Sequence, residues 1–396
     1  MSAPTLAVSA AARIASAQRG LHEARLDGWL LYDFQGKNPI FWQLLGVPRH
    51  TTRRCYLLIP SDGPARLLAH AIDVTALAPF GIETETYLTW EELRDKLPRF
   101  LAGRRRLAMD YSPGAMLPVV SRVDAGTLEL VRSFGLEVVS SADLIQAAVA
   151  RWSPADLTDH LSAAGKLVES LHTAFDYLRA HVDSGVHEHE LSQVLTDAFA
   201  ERGMCTDDPP IVAVNAHAGD PHYEPSAARP TPIRRGDWLL VDLWARENRP
   251  GTVYADSTWV AFVGTSVPGR HQTVFDVVMR ARDAAVARIR LAHERGEAVQ
   301  GWQVDRAARD LIDAAGYGQF FTHRTGHSLG QQVHGPGVNL DDFETHDTRT
   351  LIEGIAVTVE PGIYLPEFGV RSEINVVMTA NGPRVTLPEQ RAVTLI

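Results

Sequence analysis

Two acidic residues stand on what the sequence predicts to be a single β-hairpin. Asp242 lies in an apolar run over residues 238–244, and Asp256 ends a second run that begins at Val253. The turn-forming residues Asn-Arg-Pro-Gly lie between these runs. A turn centred on Arg249 would place the two carboxylates directly opposite each other, with Cβ atoms ~5 Å apart. Two carboxylates held in this way can share a proton or bind a cation.

A second pair of acids is predicted to have the same arrangement. Glu360 ends one short apolar run and Glu373 ends another. The connection between them is rich in proline and glycine, which favour turns. We expect the turn between Pro366 and Glu367, which places Glu360 opposite Glu373.

Four carboxylates that face one another need compensating positive charge. One alternative is that they are solvated or paired with arginine. However, the neighbouring strand residues, among them Leu239, Val241 and Val359, are apolar on both faces, which is typical of buried strands. A buried carboxylate without a partner is costly enough to become protonated or to recruit a cation. Two divalent ions would neutralise the four acids; oxygen ligands suit Mn²⁺, and a neutral imidazole widens the choice to Zn²⁺, Co²⁺ or Fe²⁺.

Histidines can supply that imidazole. His323, His327 and His334 lie within one stretch of twelve residues that also holds several glycines, which allow backbone segments to approach closely. A lone histidine is more often a structural residue than a ligand, but three in such a stretch favour a site. His222 is a fourth candidate in a turn-like segment, with the nearby His217 as its alternative.

The order and setting of these residues resemble the pita-bread metallopeptidases, a family that includes methionine aminopeptidase, aminopeptidase P and Xaa-Pro dipeptidase. The resemblance covers residues 151–396, with its strongest motifs at 326–334, 358–364 and 370–373. It implies two divalent metal ions per subunit, manganese first and cobalt or zinc as alternatives. Their implied ligands are Asp242, Asp256, His327, Glu360 and Glu373, with Asp256 and Glu373 bridging the two ions.

Three positions depart from the family pattern. The gap between Asp242 and Asp256 is a few residues longer than usual, and Ile374 stands where many members carry an acid. Gln332 replaces an acidic residue that some relatives carry before His334. None of these departures removes an implied ligand, so they bear on fine specificity more than on metal binding.

The resemblance also implies an activity. A hydroxide that bridges the two ions would attack the carbonyl carbon of the peptide bond preceding proline. His334 would stabilise the tetrahedral oxyanion, His222 would contact the substrate carbonyl or the leaving nitrogen, and Glu360 would take the proton from the attacking water. His323 matches another histidine that surrounds the family's metal ligands.

The choice of substrate depends on what binds beyond the proline. Arg371, His346 and Tyr364 are predicted to bind substrate, with Arg371 first for a free carboxylate; Arg349 is a further candidate. The histidine motif resembles that of bacterial prolidases, which favours an Xaa-Pro dipeptidase acting on small peptides. Aminopeptidase P is the first alternative. A creatinase-like hydrolase that is not a peptidase, and a binding module without activity, are the others.

The flanking sequence predicts two domains. Short apolar strands alternate with helical stretches over residues 1–150, the pattern of an α/β unit. The segment Ser-Pro-Ala-Asp at 153–156 is a helix-start signal and is followed by a long amphipathic repeat. The fold class is therefore α+β. By resemblance, residues 1–150 form a smaller creatinase-type α/β domain, and residues 151–396 form the pita-bread catalytic domain, an antiparallel sheet covered by helices.

Composition limits the partners. A net charge of −10 without a basic block argues against nucleic acid and anionic membranes as partners, and no apolar run approaches the ~20 residues of a membrane span. Two isolated cysteines, Cys55 and Cys205, favour a reducing compartment and a cytoplasmic location. The resemblance implies a homodimer, in which Phe41 and Trp42 either cap a neighbouring subunit's site or pack in their own domain's core.

Overall fold

The structure, a computed structural model, describes residues 9–396. The chain divides into two units, Met1–Arg151 and Trp152–Ile396, one residue from the boundary that the sequence predicts.

The first unit is built on a mixed sheet with strand order β4-β3-β2-β1-β5-β6. Its strands are β1 (Gly28–Phe34), β2 (Arg54–Pro60), β3 (Arg66–His70), β4 (Glu83–Tyr87), β5 (Arg106–Met109) and β6 (Glu137–Ser140). Its helices are α1 (Ala10–Glu23), α2 (Pro39–Leu45), α3 (Val74–Leu77), α4 (Trp90–Phe100), α5 (Ala125–Ser133) and α6 (Ala142–Ile145). The predicted hairpin between β2 and β3 is present, since the two strands pair antiparallel.

Helices cover both faces of this sheet, as the α/β pattern predicts. Along β1, Trp29 and Leu31 belong to one buried cluster, with residues of α1, α2 and α6, while Leu30 and Tyr32 belong to the cluster that includes α4 and α5. This alternation follows from the period of two in a β-strand. Phe41 is fully buried in the first cluster, together with the residue that follows it, so both side chains pack in their own domain's core.

The second unit contains antiparallel ribbons and four longer helices among the described residues. The helices are α7 (Pro154–His181), α8 (Glu188–Glu201), α9 (Gly269–Glu294) and α10 (Gly301–Ala314). The strands are β7 (Val186–His187), β8 (Met204–Cys205), β9 (Ile211–Val214), β10 (Pro232–Ile233), β11 (Trp238–Glu247), β12 (Ala255–Phe262), β13 (Ala356–Val359), β14 (Gly362–Tyr364), β15 (Gly369–Arg371), β16 (Ile374–Thr379), β17 (Gly382–Val385) and β18 (Thr394–Leu395). This is the predicted α+β architecture.

Helix α7 begins where the sequence predicts. The Ser153 hydroxyl accepts a hydrogen bond from the Asp156 backbone N–H at 3.2 Å, and the Asp156 carboxylate accepts one from the Ser153 N–H at 2.8 Å. This reciprocal pair satisfies two N–H groups that the first helical turn leaves free. The apolar face of α7, including Leu167, Leu171 and Phe175, packs in a core with β11 and β12.

Two ribbons meet beside one another in this unit. The first pairs β11 with β12, and the second pairs β13 with β16, both antiparallel. Asn375 on β16 joins them: its side chain accepts from the Asp256 N–H at 3.0 Å and donates to the Asp256 carbonyl at 2.9 Å. The junction therefore fixes the backbone of Asp256 relative to the second ribbon.

A buried histidine of α7 ties three distant segments together. His160 Nδ1 donates to the Tyr254 carbonyl at 2.9 Å, which leaves Nε2 to accept from the Thr386 hydroxyl at 2.6 Å. Burial lowers the pKa of His160 to about 4. The unfolded chain, with the ordinary value near 6.5, binds a proton as the pH falls below that value, while the folded state does not.

We therefore expect the second unit to lose stability as the pH falls from about 6.5 towards 4, because protons stabilise the unfolded state in this window. His160→Gln should reduce the difference in free energy of unfolding between about pH 7.5 and about pH 5, measured by urea unfolding of the metal-free protein. His172→Gln, at an exposed position of the same helix, is the matched control. Equal pH dependence in both variants would contradict this role.

Candidate metal centre

The two ribbons bring the five predicted ligands to one region. Asp242 lies on β11 and Asp256 on β12, while Glu360 directly follows β13 and Glu373 directly precedes β16. His327 lies in the loop after α10, and an isolated β-bridge of the next residue ties this loop to β13. Asp242 is thus held in the middle of a strand, and the other three acids are held at or beside a strand end.

The register of the first hairpin differs from the prediction. Asp242 pairs with Thr258, two residues beyond Asp256, so the two acids are not directly opposite. The centre of the turn lies one residue later than predicted. At the tip of the hairpin, the Thr252 hydroxyl donates a 2.7 Å hydrogen bond to the Glu247 carbonyl. Because side chains alternate with a period of two, a shift of two residues leaves both acids on the same face, as diagonal neighbours.

The register of the second hairpin is the predicted one. Glu360 and Glu373 lie between pairs that share it, Val359 with Ile374 and Gly362 with Arg371. The Leu365 N–H donates to the Phe368 carbonyl at 3.0 Å, which places the turn between Pro366 and Glu367 as expected. Glu360 and Glu373 therefore occupy facing positions.

Three of the predicted ligands form a compact donor set. Asp256, His327 and Glu373 are all buried, and one donor atom from each lies within 4.8 Å of the others. His327 Nε2 is 3.6 Å from a carboxylate oxygen of Asp256 and 3.3 Å from one of Glu360. His327 Nδ1 lies 3.1 Å from the Ser328 carbonyl, so Nδ1 carries the proton and Nε2 is left facing the acids. Two carboxylates and a neutral imidazole at this spacing fit a divalent transition metal.

Asp242 lies next to this set but has a different principal partner. Its carboxylate forms an ion pair with the Arg371 guanidinium, and both side chains are buried. The Thr258 hydroxyl connects it to the donor set, since that oxygen is 3.1 Å from Asp242 Oδ1 and 2.8 Å from Glu373 Oε2. A single side chain, that of Thr258, thus connects Asp242 to the three-residue donor set.

Burial makes the negative charge of this region costly. Burial, with the nearby acids, raises the pKa of Asp256 to about 7 and raises the pKa of Glu373 well above its ordinary value. Burial also raises the pKa of Asp242, although Arg371 opposes this shift. Burial thus disfavours the charged form of all three carboxyls, and a cation bound among them would stabilise that charged form.

Glu360 differs from the other acids. Burial alone would raise its pKa, but the charges of His327, His323 and Arg371 outweigh burial and lower it. Conversely, burial would lower the pKa of His327, but the hydrogen bond to Asp256 and the charge of Glu360 raise it. Glu360 is therefore the acid of this group that most readily carries a negative charge.

The acids face a cavity of about 500 Å³ that the predicted histidines also line. His222, His323 and His334 all contribute to its wall, and the ring centroids of His327 and His334 are 4.3 Å apart. Burial lowers the pKa of His323 to about 4, and the charge of His327, together with burial, lowers that of His334 to about 4. His217, the alternative to His222, instead contacts Glu188 and is not among the lining residues.

A line of hydrogen bonds runs behind the cavity wall. His323 Nε2 is 2.7 Å from the Tyr364 hydroxyl, which accepts from Arg371 Nη1 at 3.0 Å. Arg371 in turn pairs with Asp242. Tyr364 is not among the residues that line the cavity, so the structure assigns it contacts with these side chains rather than the predicted contact with substrate.

Two predicted substrate residues lie elsewhere. His346 is 2.6 Å from Asp342, and its ring lies 5.1 Å from that of Trp302. These partners hold it on a half-exposed face, and it does not line the cavity, so its role with substrate stays a prediction without support from this geometry. Arg349, the further candidate, is buried against Asp347 through two hydrogen bonds, at 3.0 and 2.6 Å.

A buried carboxylate that the sequence analysis did not single out anchors the loop that carries His222. Glu188, the first residue of α8, accepts from the Val214 N–H at 2.7 Å, from His217 Nδ1 at 3.0 Å and from the Tyr223 hydroxyl at 2.5 Å. The His217 and Tyr223 rings stack at 4.2 Å, one on each side of His222 in sequence. Glu188 thus holds both ends of the segment that presents His222 to the cavity.

Comparison with known proteins identifies the family. Residues 159–380, more than half of the chain, match metallopeptidase family M24. The chain belongs to this family. The M24 match spans both ribbons and all five residues of the candidate centre, and membership implies that the chain binds divalent metal.

Two individual relatives of the chain are also named as peptidases. The M24 chain is 27% identical over 263 residues to an uncharacterized peptidase of Staphylococcus epidermidis, covering 64% of this chain and 67% of the relative. It is 33% identical over 175 residues to the Xaa-Pro dipeptidase of Pyrococcus furiosus, covering 44% of this chain and 45% of that protein. The chain thus spans about half the length of the second relative.

A solved structure shares the fold of the chain described above. The dipeptidase PepE from Mycobacterium ulcerans superposes with a TM-score of 0.74, at 24% identity, over 98% of both chains. At this identity the likeness shows the fold. Among residues 9–396, no helix is both long and apolar enough to cross a membrane.

Proposed function

We propose that this M24 metallopeptidase is an Xaa-Pro dipeptidase, which hydrolyses the bond preceding proline in dipeptides. The observation that carries the proposal is the buried set of acids and one imidazole, which faces a cavity large enough for a small peptide. Cavities of a few hundred Å³ accommodate small molecules. The name of the P. furiosus relative supports the same reaction.

We assign the metal ligands as the sequence predicts. Asp256, His327 and Glu373 form the inner set, and Asp242 and Glu360, which lie next to it, complete it. Two bound divalent ions would supply Lewis acidity towards water and towards the scissile carbonyl. Mn²⁺, a homodimer and a cytoplasmic location stay predictions.

The chain's own residues have separable roles in this reaction. Glu360, whose charged form is stabilised by neighbouring cations, accepts a proton from the attacking water. His334, on the cavity wall next to His327, donates a hydrogen bond to the oxygen of the scissile carbonyl as negative charge develops there. His222 contacts the substrate carbonyl or the leaving nitrogen, and the Glu188 anchor orients it.

An apolar part of the cavity wall suits the proline ring. A peptide bond to proline has no N–H, so the site must recognise the ring by shape and apolar contact. The lining includes a set of apolar side chains: Pro209, Ile211, Pro221, Pro225, Trp244 and Val333. The lining thus combines apolar side chains with the charged ones of the acids and arginines.

Comparing a dipeptide with a tripeptide tests the proposal. With added Mn²⁺, we expect kcat/KM for Ala-Pro to exceed that for Ala-Pro-Ala by roughly tenfold or more, because a charge-assisted contact to the free carboxylate is lost in the longer peptide. The measurement is release of alanine from each peptide. Comparable efficiency on both peptides would identify an aminopeptidase P instead.

Metal analysis separates the remaining alternatives. A creatinase-like hydrolase or a binding module without activity does not need the metal centre. The metallopeptidase should bind Mn²⁺ or Co²⁺ in a titration and should lose peptide hydrolysis when chelator removes the metal. No affinity for either ion would overturn the proposed function.

A further inference from the structure

Two arginine side chains, Arg324 and Arg371, line the cavity, and they differ in how their guanidinium nitrogens are engaged. Arg371 donates from Nε to Thr258 at 2.9 Å and from Nη1 to Tyr364 at 3.0 Å, and its Nη2 pairs with Asp242. All three nitrogens of Arg371 are therefore engaged inside the protein. The predicted contact between Arg371 and a substrate carboxylate would require it to give up the buried Asp242.

Arg324 has a different setting. Its side chain is 30% exposed and lines the cavity, and its Nη2 is 2.8 Å from Glu344, which also lines the cavity. Its Nη1 is 4.0 Å from the nearest oxygen of Asp341, beyond a hydrogen bond. A half-exposed ion pair of this kind contributes little to stability, so a ligand carboxylate can take the place of Glu344 at small cost.

The backbone around Arg324 is rigidly anchored. The buried pair Asp305–Arg309 on α10 holds both neighbours: Arg309 donates to the His323 carbonyl at 2.7 Å, and Asp305 accepts from the Thr325 N–H at 2.9 Å. The Arg324 N–H also donates to Glu344 at 3.1 Å, so the backbone position is fixed and the side chain is held towards the cavity by a partly exposed ion pair. A binding group held in place in this way loses less conformational entropy when a ligand binds.

Arg324 shares its cavity with the histidines assigned to the reaction. It directly follows His323 in sequence, and His222, His323 and His334 line the same cavity. A substrate bound among these histidines is therefore in the cavity that the Arg324 side chain also lines.

We infer that Arg324 binds the C-terminal carboxylate of the substrate and so restricts the enzyme to peptides that end with the proline. A guanidinium can donate two parallel hydrogen bonds to the two oxygens of a carboxylate. When the substrate carboxylate replaces Glu344 as the partner of Arg324, no buried charge is left unpaired. This inference rests on the proposed function and names the residue that would determine its specificity.

The test uses Ala-Pro and its C-terminal amide, Ala-Pro-NH₂, which has the same shape without the charge. In the full-length enzyme with Mn²⁺, Arg324→Gln should raise KM for Ala-Pro roughly tenfold with little change in kcat, and should leave KM for the amide unchanged. Arg306→Gln is the matched control, because Arg306 lies on α10 in a pair with Asp310 and does not line the cavity.

The outcomes are distinguishable. Loss of the preference for the free carboxylate in Arg324→Gln alone supports the assignment. An equal change for both substrates, or no change for either, overturns the role of Arg324 while the dipeptidase function stands. If the wild-type enzyme cleaves neither peptide, the proposed function fails and the assignment fails with it. Unchanged circular dichroism would show that the variant is folded.

Discussion

Asp256→Asn should abolish peptide hydrolysis while the protein stays folded. Asp256 is the acid shared between the donor set and the junction of the two ribbons, and its carboxylate lies 3.6 Å from His327 Nε2. An amide offers one neutral oxygen where a bridging carboxylate offers two charged ones. Mutations of residues that only support metal ligands already reduce metal affinity or activity by about 10–100-fold, so we expect a loss of at least about 100-fold here.

The fold should tolerate this change because the backbone of Asp256 is held independently of its side chain. The Asn375 side chain binds both the N–H and the carbonyl of Asp256. Burial raises the pKa of the Asp256 carboxyl to about 7, so its removal relieves the metal-free protein of a disfavoured charge. The melting temperature of the metal-free variant should therefore equal or exceed that of the wild type.

Metal binding gives the decisive comparison. Ligands that bind only the folded state raise the melting temperature, so added Mn²⁺ should stabilise the wild type more than Asp256→Asn. Asp197→Asn is the matched control, because Asp197 is exposed on α8 and bonded to Gln193. Near-wild-type turnover in Asp256→Asn would exclude a role for this residue as a metal ligand.

The face on which each acid lies could be predicted from the sequence, but the register of the longer hairpin could not. Because side chains alternate with a period of two, Asp242 and Asp256 lie on the same face in every register that differs from the predicted one by an even number of residues. The connection between Glu360 and Glu373 is short and leaves one position for the turn, and the predicted register of this hairpin is the observed one. The longer tip between β11 and β12 allows several closures, and the Thr252 hydroxyl selects one.

Partners brought together from distant segments were the least predictable part of the site. Glu188 has the pattern of an acid in the first turn of a helix, which is common without any function. Only the structure shows that its carboxylate binds the loop at His217 and Tyr223. His346 is the converse case: it is near the motifs in sequence, but it contacts Asp342 and Trp302 and does not line the cavity.

Arg371→Met should destabilise the metal-free protein far more than the metal-loaded one. Both members of the Arg371–Asp242 pair are buried. Although burial opposes its charge, Asp242 and the neighbouring acids raise the pKa of Arg371 well above its ordinary value. Removing one partner of a buried ion pair leaves the other uncompensated, which costs about 3–5 kcal/mol. For a domain of this size, that corresponds to a fall in melting temperature of roughly 10 °C.

Bound metal should restore much of this loss, because a divalent ion beside Asp242 replaces the positive charge that Arg371 supplies. Thr258 links Asp242 to Glu373, so Asp242 would be one of the residues that hold an ion bound at the donor set. The measurement is the melting temperature of wild type and variant, in chelator and in saturating Mn²⁺. Arg371→Lys, which keeps the charge, should lose less than Arg371→Met in chelator.

The double variant Asp242→Asn/Arg371→Met distinguishes an unpaired charge from a packing defect. If the deficit of Arg371→Met arises from the uncompensated carboxylate, neutralising Asp242 should recover stability in chelator and should abolish the extra stabilisation by Mn²⁺. If the deficit arises from lost contacts with Tyr364 and Thr258, the double variant should be no more stable than the single one. The second result, together with equal losses in chelator and in Mn²⁺, would place Asp242 outside the metal centre and leave Arg371 as its permanent counter-ion.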